Sequence, residues 1–206
     1  MKLSLRNTFT VLLAVTVTGS VLTALALAQA SAAGAASSTA TSARYNSYQL
    51  AAELRQSSDD LTRLARTYVV SGEPKWEQQY QEVLDIRNGK KPRPDGYERI
   101  YWDFRAADLP AGEGAGNAMA LSDRMKLAGF TEAEFSKLQD SQKESNDLVR
   151  TETIAMNLVK GLADDGHGGF TKKVEPDRVK AQAMMHDLVY HQNKAKIMKP
   201  VDEFLV

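Results

Sequence analysis

Residues 44–70, RYNSYQLAAELRQSSDDLTRLARTYVV, contain neither glycine nor proline, and Leu50, Leu54, Ser57, Leu61, Leu64 and Tyr68 recur within them at steps of 4, 3, 4, 3 and 4. That spacing predicts one helix of about 40 Å with a single core-facing stripe. The opposite face, with Glu53, Asp60 and Arg63, reads as solvated. A lone amphipathic stripe has to be covered by other elements, so the rest of the chain is read for partners.

Two further long helices supply them. Thr131 and Glu134 form a capping-box pair, and Phe130 and Phe135 occupy the two positions of a hydrophobic staple. The helix they start is expected to reach about Lys160, with the stripe Phe135, Leu138, Gln142, Ser145, Val149, Glu152, Met156 and Val159. The middle of that stripe is polar. Pro176 is expected to open a last long helix to about Lys199, with Met184, Leu188, His191, Ala195 and Met198 as its stripe and Pro200 bending or ending it. Between the first two, Pro74 suits the first residue of a helix bearing Trp76, Tyr80, Val83 and Leu84 and ending near Asn88-Gly89. Residues 89–96 form a proline- and glycine-rich loop, after which Asp95 is expected to cap a short helix with Tyr97, Ile100, Tyr101 and Phe104. A glycine-rich break, Leu109 to Gly116, precedes another short helix over Asn117–Ala128. Gly161 to Gly169, with Asp164, Asp165 and His167, reads as a flexible turn; it lacks the alternating oxygen ligands and terminal Glu of a calcium hand. The fold expected is all-α: an antiparallel, four-helix-bundle-like arrangement preceded by a transmembrane helix.

That transmembrane expectation comes from upstream. Residues 7–43 carry no charge, and Phe9 to Ala30 is almost wholly apolar. Its 22 residues would span about 33 Å as a helix, enough for the hydrocarbon layer. Lys2 and Arg6 precede it and no Lys or Arg follows until Arg44, a bias that leaves the amino terminus in the cytoplasm. Ala26-Leu27-Ala28 before Gln29 also fits a secretory cleavage site, so a cleaved signal is a second reading, and both place the remainder outside the cytoplasm. The expected division is 1–8 cytoplasmic, 9–30 membrane helix, 31–43 an Ala/Ser-rich juxtamembrane segment, and 44–206 a periplasmic helical domain. The 31–43 segment reads as a helix loosened near Gly34, with a flexible linker as the alternative.

Composition narrows the function. The chain has 26 basic and 26 acidic residues; with Lys2 and Arg6 set aside, the exported part has 24 basic against 26 acidic. Such a balance lacks the electrostatic footprint of a nucleic-acid binder. There is no cysteine, which excludes thiol and disulfide chemistry. No phosphate loop, nucleophile triad or paired catalytic carboxylates emerge, so neither catalysis nor a cofactor is expected.

Several phrases carry a likeness that periodicity does not supply. Gln56 to Tyr68, Leu84 to Pro94, Tyr97 to Phe104, Leu127 to Thr131, Glu152 to Asn157 and His191 to Met198 resemble the periplasmic sensory region of bacterial methyl-accepting chemotaxis proteins. The resemblance implies an inner-membrane receptor, working as a parallel homodimer, that senses a small extracellular solute and passes a helix displacement across the membrane. In that family a second membrane helix, a linker domain and a coiled coil that engages kinase-coupling proteins follow the sensory region. This chain contains none of them, so it reads as either the input portion of a receptor or an incomplete relative. Its approach to an apolar end at Val201 and Phe204-Leu205-Val206 suggests the onset of a second crossing.

Candidate ligand contacts are Arg63, Arg66, Trp76, Arg87, Arg99, Tyr101, Trp102 and Arg150, since guanidinium groups clamp carboxylates and aromatic rings supply apolar walls. They lean toward an organic anion. The alternative for the arginines is surface pairing with Asp59, Asp60 or Glu98, and for the aromatics a place in the core. Glu152 is singled out because it falls on a core stripe; it needs a partner there, Arg66 or His191, unless the helix turns it to solvent. His186, His191 and Tyr190 together suggest a metal or pH site, but positions i and i+5 share a helix face poorly, so the histidines are read as packing or hydrogen-bonding groups with no metal expected. A periplasmic structural or adaptor bundle that binds a protein partner, or one secreted after signal cleavage, is the alternative function.

Overall fold

The computed structural model describes residues 4–114 and 116–205, so Lys2 and Val206 lie outside the described residues. The protein is all-α, with a long apolar amino-terminal helix and several further helices, consistent with a helical bundle. It divides into two compact units, Met1–Tyr45 and Asn46–Val206. Helix α1 (Leu5–Ser71) contributes to both.

In the first unit every large aliphatic side chain from Leu5 to Leu27 is exposed, as a membrane anchor requires. Three hydroxyls within this apolar run bond back to the helix itself: Thr10 donates to the Arg6 carbonyl at 2.9 Å, Thr16 to that of Leu13 at 2.9 Å and Thr23 to that of Gly19 at 2.8 Å. Such back-bonding suits a segment that meets no water. The Ala/Ser-rich stretch is helical throughout, Gly34 included, so the expected loosening is absent. Alanine's high helix propensity on either side outweighs the roughly 1 kcal/mol cost of one glycine.

The second unit contains α1 from Asn46 onward, α2 (Pro74–Arg87), α3 (Tyr101–Ala106), α4 (Leu121–Leu127), α5 (Glu132–Val159), α6 (Arg178–His186) and α7 (Leu188–Leu205). All six stripe residues of α1 are buried. Its core falls into two clusters. Leu50, Ala51 and Leu54 of α1 meet Leu121 and Met125 of α4, Leu138 of α5 and Val201 of α7. Further along, Leu61, Leu64, Ala65 and Tyr68 meet Tyr80 and Val83 of α2, Leu148 and Met156 of α5, and Tyr190 of α7. Low-numbered α1 residues therefore lie near low-numbered α5 and high-numbered α7, while Tyr80 and Arg87 of α2 reach Glu152 and Ser145 of α5. Between the clusters the packing is polar: Ser57 and Ser58 of α1, Arg87 of α2, and Ser141 and Ser145 of α5 are all buried.

Local signals explain most boundaries. Pro74 takes the first turn of α2, and Asn88 closes it. The Thr131–Glu134 capping box is formed in both directions, with Glu134 accepting the Thr131 N–H at 2.8 Å. Phe130, one half of the expected staple, stacks on Phe204 with centroids 5.3 Å apart. Gly161 ends α5 with φ +71°, and a Cβ there would meet the Val174 carbonyl, so both conformation and space require glycine.

Five further expectations are corrected. Asp95 does not cap α3, which starts six residues later behind Ile100; its backbone N–H instead bonds to the Glu113 carbonyl across the loop. The helix expected over Asn117–Ala128 is shortened to α4. The flexible turn after Gly161 is organised: strands β1 (Leu162–Ala163) and β2 (Lys172–Lys173) pair antiparallel, and Asp165 accepts from the His167 and Gly169 N–H groups and the Thr171 hydroxyl. Asp60 is buried rather than solvated, held by Gln56 and Arg63.

The fifth correction is the largest. The last helix begins at Arg178 behind an Asp177 cap, breaks at Asp187, and runs through Pro200 to Leu205. Its expected stripe is displaced: Leu188, His191 and Ala195 are exposed, while Ala181, Met185, Tyr190, Ile197 and Val201 face inward.

Candidate functional site

Two turns of α1 and one of α7 form a cleft of about 490 Å³. Asp59, Thr62, Arg63, Arg66 and Thr67 line it from α1, and Tyr190, His191 and Lys194 from α7. Steps of three and four place each set on one helical face. The lining carries three cations and one carboxylate, with the Asp60 and Glu152 carboxylates directly behind it.

The cations differ in what already holds them. Arg63 pairs with Asp60 at 3.2 Å and Lys194 with Asp59 at 3.0 Å. Arg66 pairs with no carboxylate among the described residues. Its Nε donates to the Met185 carbonyl at 2.9 Å, and its guanidinium lies over the Tyr190 ring, 5.0 Å from the centroid. The Nη groups make no hydrogen bond among the described residues, which leaves their four N–H donors and the guanidinium charge in the cleft.

Beneath the cleft lies Glu152, only 1 % exposed. The Tyr190 hydroxyl donates to its Oε1 at 2.6 Å and the Tyr80 hydroxyl to its Oε2 at 2.7 Å, with the Thr62 hydroxyl at 3.4 Å. Neither expected partner, Arg66 or His191, bonds to it; Arg66 reaches it through Tyr190. Burial raises the Glu152 pKa, while the phenol and Lys194 contacts oppose that rise. Burial, reinforced by the Glu152 charge, pushes both phenols upward and keeps them donors. Lys194 is lowered by burial against the pull of Asp59.

Arg87 stands deeper. It is buried and gives its Nη groups to Ser145 Oγ at 2.8 Å and Asn146 Oδ1 at 3.1 Å, with Nε unpartnered. Burial lowers its pKa and the nearby Tyr80 and Glu152 raise it. A guanidinium bonded only to neutral groups is an uncommon core element.

The remaining candidates fall elsewhere. Trp76 packs against the core with Lys75 over its ring. Tyr101 and Trp102 form an aromatic cluster with Tyr97. Arg99 is exposed beside Glu98, and Arg150, also exposed, pairs with Asp164 at 3.0 Å. Of the nine candidates, only Arg63 and Arg66 line the cleft, with Glu152 below it. Sequence reasoning missed Lys194, Thr62 and Tyr80, gave Tyr190 no role of its own, and read His191 as a packing or hydrogen-bonding group. A tyrosine hydroxyl beside a stripe carboxylate was the one signal available. Among protein-family models, curated proteins and solved structures, none matches this chain.

Proposed function

We propose that this chain is the input module of a transmembrane chemoreceptor, anchored by 9–30 in a bacterial inner membrane with residues 44–206 in the periplasm. In this reading it is an antiparallel four-helix-bundle-like sensor, working as a homodimer. A small organic anion binds in the cleft between α1 and α7 and biases their packing. The observation that carries this is Arg66, a cation with no carboxylate partner among the described residues, in a cleft walled by those two helices. An anion bridging Arg66 and the Tyr190–Lys194 face would favour one relative position of α1 and α7. A ligand shifts a conformational equilibrium by its difference in affinity for the two packings. Helix α1 is also the helix that bears the apolar segment, so a displacement has a continuous element to act on. Engagement of kinase-coupling proteins would fall to a cytoplasmic region outside this sequence.

The test is thermal unfolding of the full chain in detergent against organic acids, amino acids and amines, with calorimetry on each hit. Stabilisation grows with ligand as RT ln(1 + [L]/Kd), about 2.7 kcal/mol at a hundredfold excess over Kd. An acid that binds wild type and loses at least about tenfold in Arg66→Ala, roughly 1.4 kcal/mol, supports the reading. A folded chain that no solute shifts points instead to a protein partner.

A further inference from the structure

Helices α6 and α7 occupy a stretch whose spacing reads as one helix, and the break between them is held by side chains. Asp187 leaves the helix with ψ 170°, and its Oδ1 accepts the Tyr190 N–H at 2.7 Å. From α1, Arg66 Nε takes the Met185 carbonyl at 2.9 Å. In an uninterrupted helix that carbonyl would accept the Val189 N–H, and Met184 would accept that of Leu188. Here neither amide has a backbone acceptor among the described residues.

The break also decides which residues face inward. Met185 and Tyr190 are both buried. At about 100° per residue, positions five apart lie roughly 140° apart around one helix, so only the break lets both face the core. The uninterrupted register is the stripe Met184, Leu188, His191 and Ala195. Two large aliphatics at the junction, Leu188 and Val189, are 71 % and 61 % exposed in the broken form. One sequence thus carries two registers, a broken one that buries Tyr190 and a continuous one that recovers two backbone hydrogen bonds.

We propose that the α6–α7 junction is a two-position joint, and that a carboxylate on the Nη edge of Arg66 holds it broken. The trigger rests on the solute-sensing reading above; the joint does not. Tyr190, His191 and Lys194 line the cleft only in the register that follows the break. A ligand bound there therefore selects the broken position. It also leaves Nε on Met185, so occupancy strengthens the clamp. Loss of the clamp lets the helix close and turns Tyr190 away from Glu152.

The experiment is hydrogen exchange on the full chain in detergent, read at the Leu188 and Val189 amides. In wild type they exchange fast, while those of Lys194 and Ile197 are protected. The double variant Arg66→Ala, Asp187→Ala removes both clamps and slows the two amides by about tenfold. Leu188→Pro locks the broken form: Asp187 is already extended, the lost N–H has no acceptor, and proline at a first helical position suits it, as Pro74 does in α2. That variant is expected to fold with an unchanged or higher Tm. The probes are sodium acetate, succinate and benzoate, and one that binds keeps the two amides fast. Unchanged exchange in the double variant overturns the joint, as does a Leu188→Pro chain that fails to fold. A carboxylate that binds while slowing the amides overturns the direction. If no carboxylate binds but both variants behave as described, the joint stands and the solute reading falls.

Discussion

Around Leu54, helices α1, α5 and α7 meet through Leu50, Leu54, Leu138 and Val201. Around Glu152, the same three helices meet through Thr62, a carboxylate and a phenol. The first contact is non-directional: apolar area is removed from water, and a small slide of one helix costs only what it re-exposes. The second depends on direction, because each hydroxyl and oxygen must find its partner at hydrogen-bond distance or lose most of what desolvation costs. The apolar region fixes that the helices pack, and the polar one fixes how. A helix that changes register would therefore break the second contact first, and the α6–α7 joint lies beside that contact.

The largest expected effect separates the two regions by size. Leu54→Ala should destabilise by about 3–5 kcal/mol, since a fully buried leucine leaves a cavity that rigid helices cannot collapse. In thermal unfolding of the full chain, that loss should be the same at pH 5 and pH 8, because the side chains Leu54 packs with are apolar. A loss that depends on pH would mean the two regions are coupled.

Glu152→Gln separates them by pH. Burial raises the Glu152 pKa in the folded state, so the folded chain binds that proton more tightly than the unfolded one. The resulting stability is complete below the unfolded value, about 4.3 for glutamate, and is lost as pH rises through the folded value. Asp60, also raised by burial, acts in the same direction. Wild type should therefore lose more stability than Glu152→Gln as the pH rises from 4.5 to 8. Parallel pH profiles for the two proteins would show that the carboxylate does not titrate in that window.

What the sequence disclosed divides along the same line. The stripes of α1 and α5 were legible because burial follows helical period, and Leu50 through Tyr68 are inward as their spacing requires. The Thr131–Glu134 cap was legible because both partners lie within four residues. The Glu152 network was not, because Thr62 and Tyr190 stand 128 positions apart and no local rule joins them. The last helix misled for a different reason. Its stripe through Leu188 and His191 has good helical spacing, but Asp187 took a backbone amide for its own side chain, and one residue of slip moved every later position to another face. The cleft follows from that slip, which is why Lys194 could not be named beforehand.

The smallest effect is the sharpest test of the comparison, because it sets two caps against each other. Thr131 and Asp187 each accept a backbone N–H near the start of a long helix, at 3.3 and 2.7 Å. Thr131 caps a helix that begins after a glycine and a phenylalanine, and its loss offers the chain nothing in return. Thr131→Ala should cost about 1 kcal/mol, a few degrees in Tm. Asp187 caps a helix that could be continuous with the one before it. In Asp187→Ala the lost cap is offset by the backbone bond that Leu188 then recovers from Met184, while Arg66 still holds the Met185 carbonyl, so the Tm should fall by less than in Thr131→Ala. The shorter hydrogen bond is thus expected to be the less costly to remove. If Asp187→Ala costs as much as Thr131→Ala, the broken register is the only one available to this sequence, and the polar region is as fixed as the apolar one.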